Sequence, residues 1–250
     1  MLKLTDTSQV IEIPITRYNV MQIDYFKRTY PKDRNNSKPI TFALQYFGNE
    51  RTLVTNSGFS MEEATSIVQN YKKLYAESEV YKKIRQTQCC VDGFATVAFG
   101  LRIRTPVLAK SILGNSKTLR EAEAEARSVG NAMFQSYGLL NNRAAIAFME
   151  RVWASEFKYD IFLVSLIHDA VYLIMRDNIR VVEWVNKVLI EEMSWQELPE
   201  IQHPEVKLGA ELDIFYPDWS KPITLPNNAT GDKIKEICRT EALKYSEKVK

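Results

Sequence analysis

The chain has 250 residues, of which 45% are hydrophobic and 26% are charged, an ordinary composition for a folded protein with one large or two small domains. A net charge of only +2 excludes a uniformly basic surface, so any surface for nucleic acid is local. The three cysteines and two histidines match no zinc spacing and no disulfide framework, which suits a reducing compartment. The chain opens without a signal peptide and has no apolar run of membrane-spanning length, so we expect a cytoplasmic protein without a membrane partner.

Capping residues and apolar spacing predict the elements in chain order. Ser60 and Glu63 form a capping box that should start a long helix, and Thr118 and Glu121 form a second one. Pro39 should restrict an earlier helix to starting close to it. We expect helices over about residues 38–46, 60–88, 118–134, 142–157, 179–192 and from 230 onward. We expect strands over residues 10–15 at a sheet edge, 94–99, 161–167, 170–175 and 206–215.

His168 and Asp169 stand between two short apolar runs that are rich in branched and aromatic residues, which favours a strand-turn-strand over one helix. A carboxylate between buried strands costs free energy if it stays unpaired, so such a charge usually has a function, and a divalent cation is its commonest partner. The alternative is a turn aspartate that accepts hydrogen bonds from backbone amides, which is common. A hairpin with His-Asp at its tip resembles motif C of nucleic-acid polymerases.

Arg34, Lys38, Phe42 and Tyr46 lie four residues apart, on one stripe of an expected helix. Basic side chains near a helix N-terminus form an anion site, because the partial positive end of the helix adds to their charge. Two rings further along would form a stacking surface. A nucleoside triphosphate fits both features, whereas the alternative is a surface helix with ordinary basic residues and two core aromatics.

The same four residues resemble motif B, the fingers helix of family A DNA polymerases, which has Arg, Lys, Phe and Tyr at this spacing. The resemblance implies that Arg34 and Lys38 bind the triphosphate of the incoming dNTP. It also implies that Phe42 lies against the sugar and that Tyr46 shapes the pocket for the nascent base pair. The family usually has Gly directly after the Tyr, whereas Phe47 occupies that position here.

A later helix resembles the one that lines the DNA minor groove in this family. Arg127, Asn131 and Gln135 match the family pattern of Arg, three residues, Asn, three residues, Gln. Minor-groove edges offer the same acceptors for every correct base pair, so donors such as Arg and Gln can test the shape of a pair without reading its sequence. The alternative is an ordinary polar helix face. Residues 93–102 and 208–219 also resemble family stretches, in family order.

The resemblance makes Asp169 a ligand of two Mg²⁺ ions and places His168 at the primer terminus. Two such ions clamp the attacking and leaving oxygens of phosphoryl transfer, and Mg²⁺ prefers oxygen ligands from carboxylates and substrate phosphates. Family members often have Glu after this Asp, and Ala170 stands there instead. We expect this change to be tolerated, because the second carboxylate is auxiliary in the family.

Motif A, which supplies the facing carboxylate in the family, has no match in the chain. Asp24-Tyr25 is rejected because it lies only ten residues before Arg34 and is followed by Phe-Lys-Arg. We therefore expect the C-terminal portion of a polymerase, either an engineered fragment or one product of a split gene. It should be inactive alone and need an N-terminal partner that carries motif A and the thumb, with or without a proofreading exonuclease.

The expected fold class is α+β, with a helical fingers subdomain and a partial palm whose antiparallel hairpin carries Asp169. The expected division is an N-terminal segment at 1–33 that contacts the partner, fingers at 34–117, a C-terminal palm at 118–220 and a tail at 221–250. The expected function is template-directed DNA synthesis of the bacteriophage type, with primer-template DNA and dNTPs as further binding partners.

Two other functions stay open. A catalytically inactive DNA-binding accessory protein derived from a polymerase would fit the lack of motif A and the Ala170 change. The complete set of triphosphate-binding residues argues against it, because a protein that only binds DNA does not need them. A relative of single-subunit RNA polymerases would share the Lys-to-Tyr spacing, but Phe42 and the minor-groove spacing disfavour it.

Overall fold

The computed structural model describes residues 29–111, 120–215 and 218–248, apart from the side chains of Asp33 and of residues 242–248. The strand expected over 10–15 and the rejected Asp24-Tyr25 pair lie outside these residues. The chain divides into two compact units, one up to Gln135 and the other from Ser136 onward. None of the described helices combines the length and apolar character that a membrane span needs.

The first unit is mainly helical. Its elements are α1 (Pro31–Gln45), α2 (Glu50–Ser57), α3 (Met61–Leu74), α4 (Ala76–Asp92), the antiparallel pair β1 (Phe94–Thr96) and β2 (Arg102–Arg104), and α5 (Arg120–Gln135). Two apolar clusters hold it together. One packs α1, α2 and α3 around Leu53 and Val68, and the other packs α4, β1 and α5 around Leu108 and Val129.

The second unit combines helices with two small antiparallel sheets. Its elements are α6 (Leu139–Trp153), β3 (Ile161–Ile167), β4 (Ala170–Met175), α7 (Ile179–Met193), β5 (Leu212–Phe215), β6 (Pro222–Leu225) and α8 (Gly231–Lys248). Strand β3 pairs with β4, and β5 pairs with β6. The core lies between α6, α7 and α8, where Phe148, Val185 and Ile234 are buried.

Helix α1 begins earlier than the sequence predicted. Pro31 lies at the start of the helix, where an N–H has no partner within the helix in any case, and Pro39 lies inside it. The expectation that Pro39 sets the start of the helix is therefore wrong, because the helix tolerates the loss of the one backbone hydrogen bond that a proline cannot donate. Arg34 consequently lies within α1, and its N–H donates to the carbonyl oxygen of Tyr30 at 3.0 Å.

The single helix predicted over 60–88 is in fact two helices, α3 and α4, which are divided at Tyr75 (φ −108°, ψ 38°). The sequence carries a signal for this break that the prediction did not use. Lys72 and Lys73 lie in the last turn of α3 and Glu77 lies in the first turn of α4, and these charges suit the dipoles of a helix end and a helix start.

One of the two predicted capping boxes is present, and Thr118 of the other lies outside the described residues, whereas the short strands were predicted less well. Ser60 and Glu63 form the expected capping box, since the Glu63 N–H donates to Ser60 Oγ at 3.2 Å and the Ser60 N–H donates to Glu63 Oε2 at 3.0 Å. The strand predicted over 94–99 ends at Thr96, and the one predicted over 206–215 starts only at Leu212. Helix α2 and strands β2 and β6 were not predicted.

Candidate nucleotide and nucleic-acid site

The four spaced residues of α1 combine two basic side chains with two stacked rings. Arg34 is half-buried and Lys38 is exposed, and no acidic side chain among the described residues pairs with either. Phe42 is 55% exposed, and its ring lies parallel to that of Tyr46, with centroids 6.3 Å apart and an interplanar angle of 10°. Phe42 is therefore not a core aromatic, and the stripe offers accessible positive charge followed by an accessible ring.

The C-terminal end of α1 closes in a Schellman motif. The Phe47 N–H donates to Leu44 O at 3.3 Å, and the Gly48 N–H donates to Ala43 O at 2.7 Å. Phe47 has a φ of 65°, the left-handed conformation that glycine adopts without strain. The departure from the family's Gly therefore leaves the turn itself intact.

Phe47 connects the end of α1 to helix α5. Its ring lies against Gly130 of α5, where a Cβ would come within 1.9 Å of the ring atom Cε2. Lys82 of α4 is only 4% exposed and holds its Nζ 5.2 Å from the centroid of this ring. The same Nζ donates to Glu79 Oε1 at 2.5 Å and to Leu44 O at 3.4 Å, so a cation lies at the negative end of the α1 dipole.

Tyr71 of α3 supports the same end of α1. Its hydroxyl donates to Gln45 Oε1 at 2.7 Å, and its ring centroid lies 5.7 Å from Lys82 Nζ. Burial, with smaller contributions from Glu79 and Tyr75, raises the pKa of Tyr71 to about 12, so this phenol remains a hydrogen-bond donor up to strongly alkaline pH. Neither Lys82 nor Tyr71 was singled out from the sequence, since their contacts join residues far apart in the chain.

Helix α5 presents the three residues that were assigned to the minor groove. Arg127 and Gln135 are exposed, whereas Asn131 is half-buried. The Oδ1 atom of Asn131 is buried and has no hydrogen-bond partner among the described residues. The opposite face of α5 packs into the core of the first unit through Ala122, Ala126, Val129 and Met133.

The hairpin of β3 and β4 is present as the sequence predicted, with His168 and Asp169 as the two residues between the strands. His168 has a φ of 54°, which is unfavourable for a residue with a side chain. Asp169 is exposed, and its carboxylate makes no hydrogen bond or ion pair with another described residue. Among the described residues, no backbone amide therefore donates a hydrogen bond to the Asp169 carboxylate, as the alternative of an ordinary turn aspartate would require.

The outward face of this hairpin is apolar. Phe162 is 54% exposed and Ile174, its partner across the two strands, is 63% exposed. Trp219, one of the family-like positions, packs on Tyr172 with ring centroids 5.2 Å apart. Much of the outer face of the pair of strands is consequently left uncovered by the described residues of the second unit.

The chemistry of the Asp169 carboxylate suits Mg²⁺, but one carboxylate is fewer ligands than a magnesium site needs. Carboxylate oxygens are the ligands that Mg²⁺ prefers, and this carboxylate is accessible and has no ion-pair partner among the described residues. No group of three or more acidic, histidine or cysteine side chains that could hold a metal ion occurs among the described residues. The described residues thus offer one carboxylate at this position.

A basic helix with stacked rings and a hairpin with an exposed aspartate are typical of the polymerase domains of nucleotidyltransferases. The family model for DNA polymerase family A matches residues 16–220, and the chain belongs to this family, as the motifs indicated. No curated protein matches the chain.

Among solved structures, the chain is similar to the POL domain of Pol1 from M. smegmatis in complex with DNA primer-template and dNTP. The sequence identity is 20%, the TM-score is 0.58, and the match covers 71% of this chain and 29% of that chain. This likeness shows the fold, in which helices combine with small antiparallel sheets as in a polymerase domain. The chain spans less than a third of the length of the protein it matches.

Proposed function

We propose that the chain supplies the fingers, at about residues 34–117, and the C-terminal palm, at about 118–220, of a template-directed DNA polymerase. The observation that carries this proposal is the exposed carboxylate of Asp169 at the tip of a two-residue turn, where no other described side chain pairs with it. In a chain of DNA polymerase family A, an accessible carboxylate on a hairpin tip supports a role as metal ligand.

In this proposal α1 binds the incoming dNTP. Arg34 and Lys38 contact the triphosphate, which adds two charges to the positive end of the helix dipole. Phe42 lies against the sugar, and Tyr46 shapes the pocket of the nascent base pair. The exposure of Phe42 and the parallel arrangement of the two rings support these roles.

The hairpin binds the metal and the primer. Asp169 holds Mg²⁺ and His168 contacts the primer terminus. When bound, Mg²⁺ stabilises the charge that develops on the transferred phosphoryl group and on the attacking and leaving oxygens. Arg127, Asn131 and Gln135 contact the minor groove of the primer-template, and the exposure of Arg127 and Gln135 supports this.

A second carboxylate, supplied by motif A from outside residues 1–250, completes the site in this proposal. We assign it to an N-terminal partner polypeptide that also carries the thumb. The exposed apolar side chains of the hairpin support the assignment, because Phe162, Val164 and Ile174 are each more than half exposed and would be covered by a neighbouring strand.

Primer extension with purified components tests the proposal. The chain alone should bind a fluorescent primer-template and fail to extend it. Addition of the polypeptide from the same organism that carries an Asp-Tyr-Ser motif A should restore dNTP- and Mg²⁺-dependent extension. Robust synthesis by the chain alone would refute the need for a partner, and tight DNA binding without extension in the mixture would favour the catalytically inactive accessory protein instead.

Asp169→Asn is the decisive variant in the reconstituted enzyme. It removes the charge and keeps the size of the side chain, so extension should fall by about a thousandfold or more while DNA binding is retained. Asp177→Asn is the matched control, since Asp177 is an exposed aspartate just after β4 and has no role in the site. A near-normal rate for Asp169→Asn would show that the metal assignment is wrong.

A further inference from the structure

Asn141 of α6 holds the backbone on both sides of Asp169. Its Nδ2 donates to the carbonyl oxygen of His168 at 3.3 Å and to that of Ala170 at 3.2 Å. Because the amide nitrogen has two hydrogens, both are used by these two bonds. The amide orientation is fixed by this arrangement, since its oxygen could not face two carbonyls.

Two features show that Asn141 is placed for these bonds and not for general packing. It is only 7% exposed, and its Oδ1 is buried without a hydrogen-bond partner among the described residues. A buried carbonyl that lacks a partner is unfavourable, so an apolar side chain of this size would suit a packing position better. The two donated bonds are what distinguishes asparagine from such a residue here.

The turn needs support of this kind. His168 has a φ of 54°, and a residue with a side chain keeps this conformation only where its surroundings hold it. Asn141 itself lies near the start of α6, and α6 is anchored to α7 by Arg143, whose guanidinium donates to Glu192 Oε2 at 2.8 Å. The two amide bonds therefore attach the turn to a helix in the packed core of the second unit.

We propose that Asn141 is a positioning residue, which fixes the His168-Asp169 turn so that the Asp169 carboxylate is presented in one orientation. This rests on the proposed function of Asp169 as a metal ligand. Residues that orient a metal ligand matter because a ligand that samples several orientations binds its ion more weakly. The effect of Asn141 is exerted through the backbone carbonyls on either side of the aspartate, and the asparagine itself does not touch the metal.

Hydrogen exchange of the chain alone tests the positioning of the turn without any assay of activity. In Asn141→Ala the amides of residues 167–171 should exchange roughly tenfold faster or more, while α6 and α7 keep their protection. Asn141→Asp should behave in the same way, because an ionised carboxylate offers only acceptors to the two carbonyls although its volume is unchanged. Unchanged exchange at the turn, or normal exchange in the Asp variant, overturns the proposal.

Asn186 provides a matched control in the same unit. It is also buried, it donates through Nδ2 to Pro226 O at 2.9 Å, and its Oδ1 likewise lacks a partner among the described residues. Asn186→Ala should accelerate exchange around the Pro226 segment and leave the Asp169 turn unchanged. Equal acceleration of the turn by both variants would mean that Asn141 acts only through overall stability, and would overturn the proposal.

A second measurement links the turn to the metal in the reconstituted enzyme. Asn141→Ala should raise the Mg²⁺ concentration for half-maximal extension by about tenfold with little change in the dNTP KM, and Asn186→Ala should leave it unchanged. An unchanged Mg²⁺ requirement in Asn141→Ala overturns the link to metal binding. Failure of the wild-type mixture to extend primers would count against the proposed function, and the exchange data would still decide whether Asn141 holds the turn.

Discussion

The contact between Phe47 and Gly130 predicts that Gly130→Ala destabilises the wild-type protein and stabilises a variant that lacks the Phe47 ring. A Cβ at position 130 would lie 1.9 Å from Cε2 of the Phe47 ring and 2.4 Å from both Cδ2 and Cζ, so the ring or α5 has to move. Inserting a carbon into a packed site costs about 1–3 kcal/mol. In a helix interior, Gly→Ala otherwise stabilises by about 0.5–1 kcal/mol.

The packing cost and the gain in helix stability oppose each other only while the Phe47 ring is present. In the wild type, Gly130→Ala should lower the free energy of unfolding by up to about 2.5 kcal/mol, the difference between the packing cost and the helix gain. In a Phe47→Ala background the ring is gone, and the same change should raise the free energy of unfolding by about 0.5–1 kcal/mol. Alanine keeps a Cβ at the left-handed position, so the backbone strain at residue 47 is common to both backgrounds.

Urea unfolding of the four proteins, followed by far-UV circular dichroism, measures this cycle. The coupling energy between the two positions should be about 1–3 kcal/mol, well above the additivity error of distant sites. If Gly130→Ala changes the free energy of unfolding in the same direction in both backgrounds, the Phe47 ring does not pack against Gly130. The connection of α1 to α5 through Phe47 is then wrong.

Two further predictions concern the same unit. Arg34→Ala and Lys38→Ala should each raise the dNTP KM or lower kcat of the reconstituted enzyme by about tenfold or more, because in the proposed function each removes a charge-assisted phosphate contact. Lys73→Ala, at an exposed lysine outside the proposed site, should do neither. Lys82→Met should lower the free energy of unfolding by about 1–3 kcal/mol, because the Glu79 carboxylate loses its partner and Leu44 O loses a donor. Urea unfolding measures the second effect, and a Lys82→Met protein as stable as the wild type would show that the buried cation does not support the end of α1.

The elements that the sequence predicted best are those whose signals are local. The hairpin of β3 and β4 follows from two apolar runs and a two-residue break, and the start of α3 follows from Ser60 and Glu63. The start of α1 was missed because Pro39 suggested a boundary, although Pro31 offered the same signal more than two turns upstream. Strand β6 was missed because its four residues begin with a proline and acquire their conformation only by pairing with β5.

The residues of the candidate site also differ in whether the sequence could predict them. The spacing of the basic and aromatic residues on α1 could be read from the sequence because it is a helix period, and the family assignment that it indicated is confirmed. The supporting residues could not be found in this way. Lys82 meets Leu44 across 38 positions of the chain, and Asn141 meets Ala170 across 29, so that only the folded structure brings them together.

The turn after α1 and the turn between β3 and β4 each hold a bulky residue in the left-handed conformation, and each is contacted by a residue of a helix in its own unit. Phe47 follows α1 and packs against Gly130, and His168 precedes Asp169 and is bonded by Asn141. A residue with a side chain loses about 1–2 kcal/mol in this conformation relative to glycine, so each turn depends on contacts that offset this cost. Substitutions of Gly130 on α5 and of Asn141 on α6 should therefore alter the end of α1 and the Asp169 turn, although neither residue belongs to a motif.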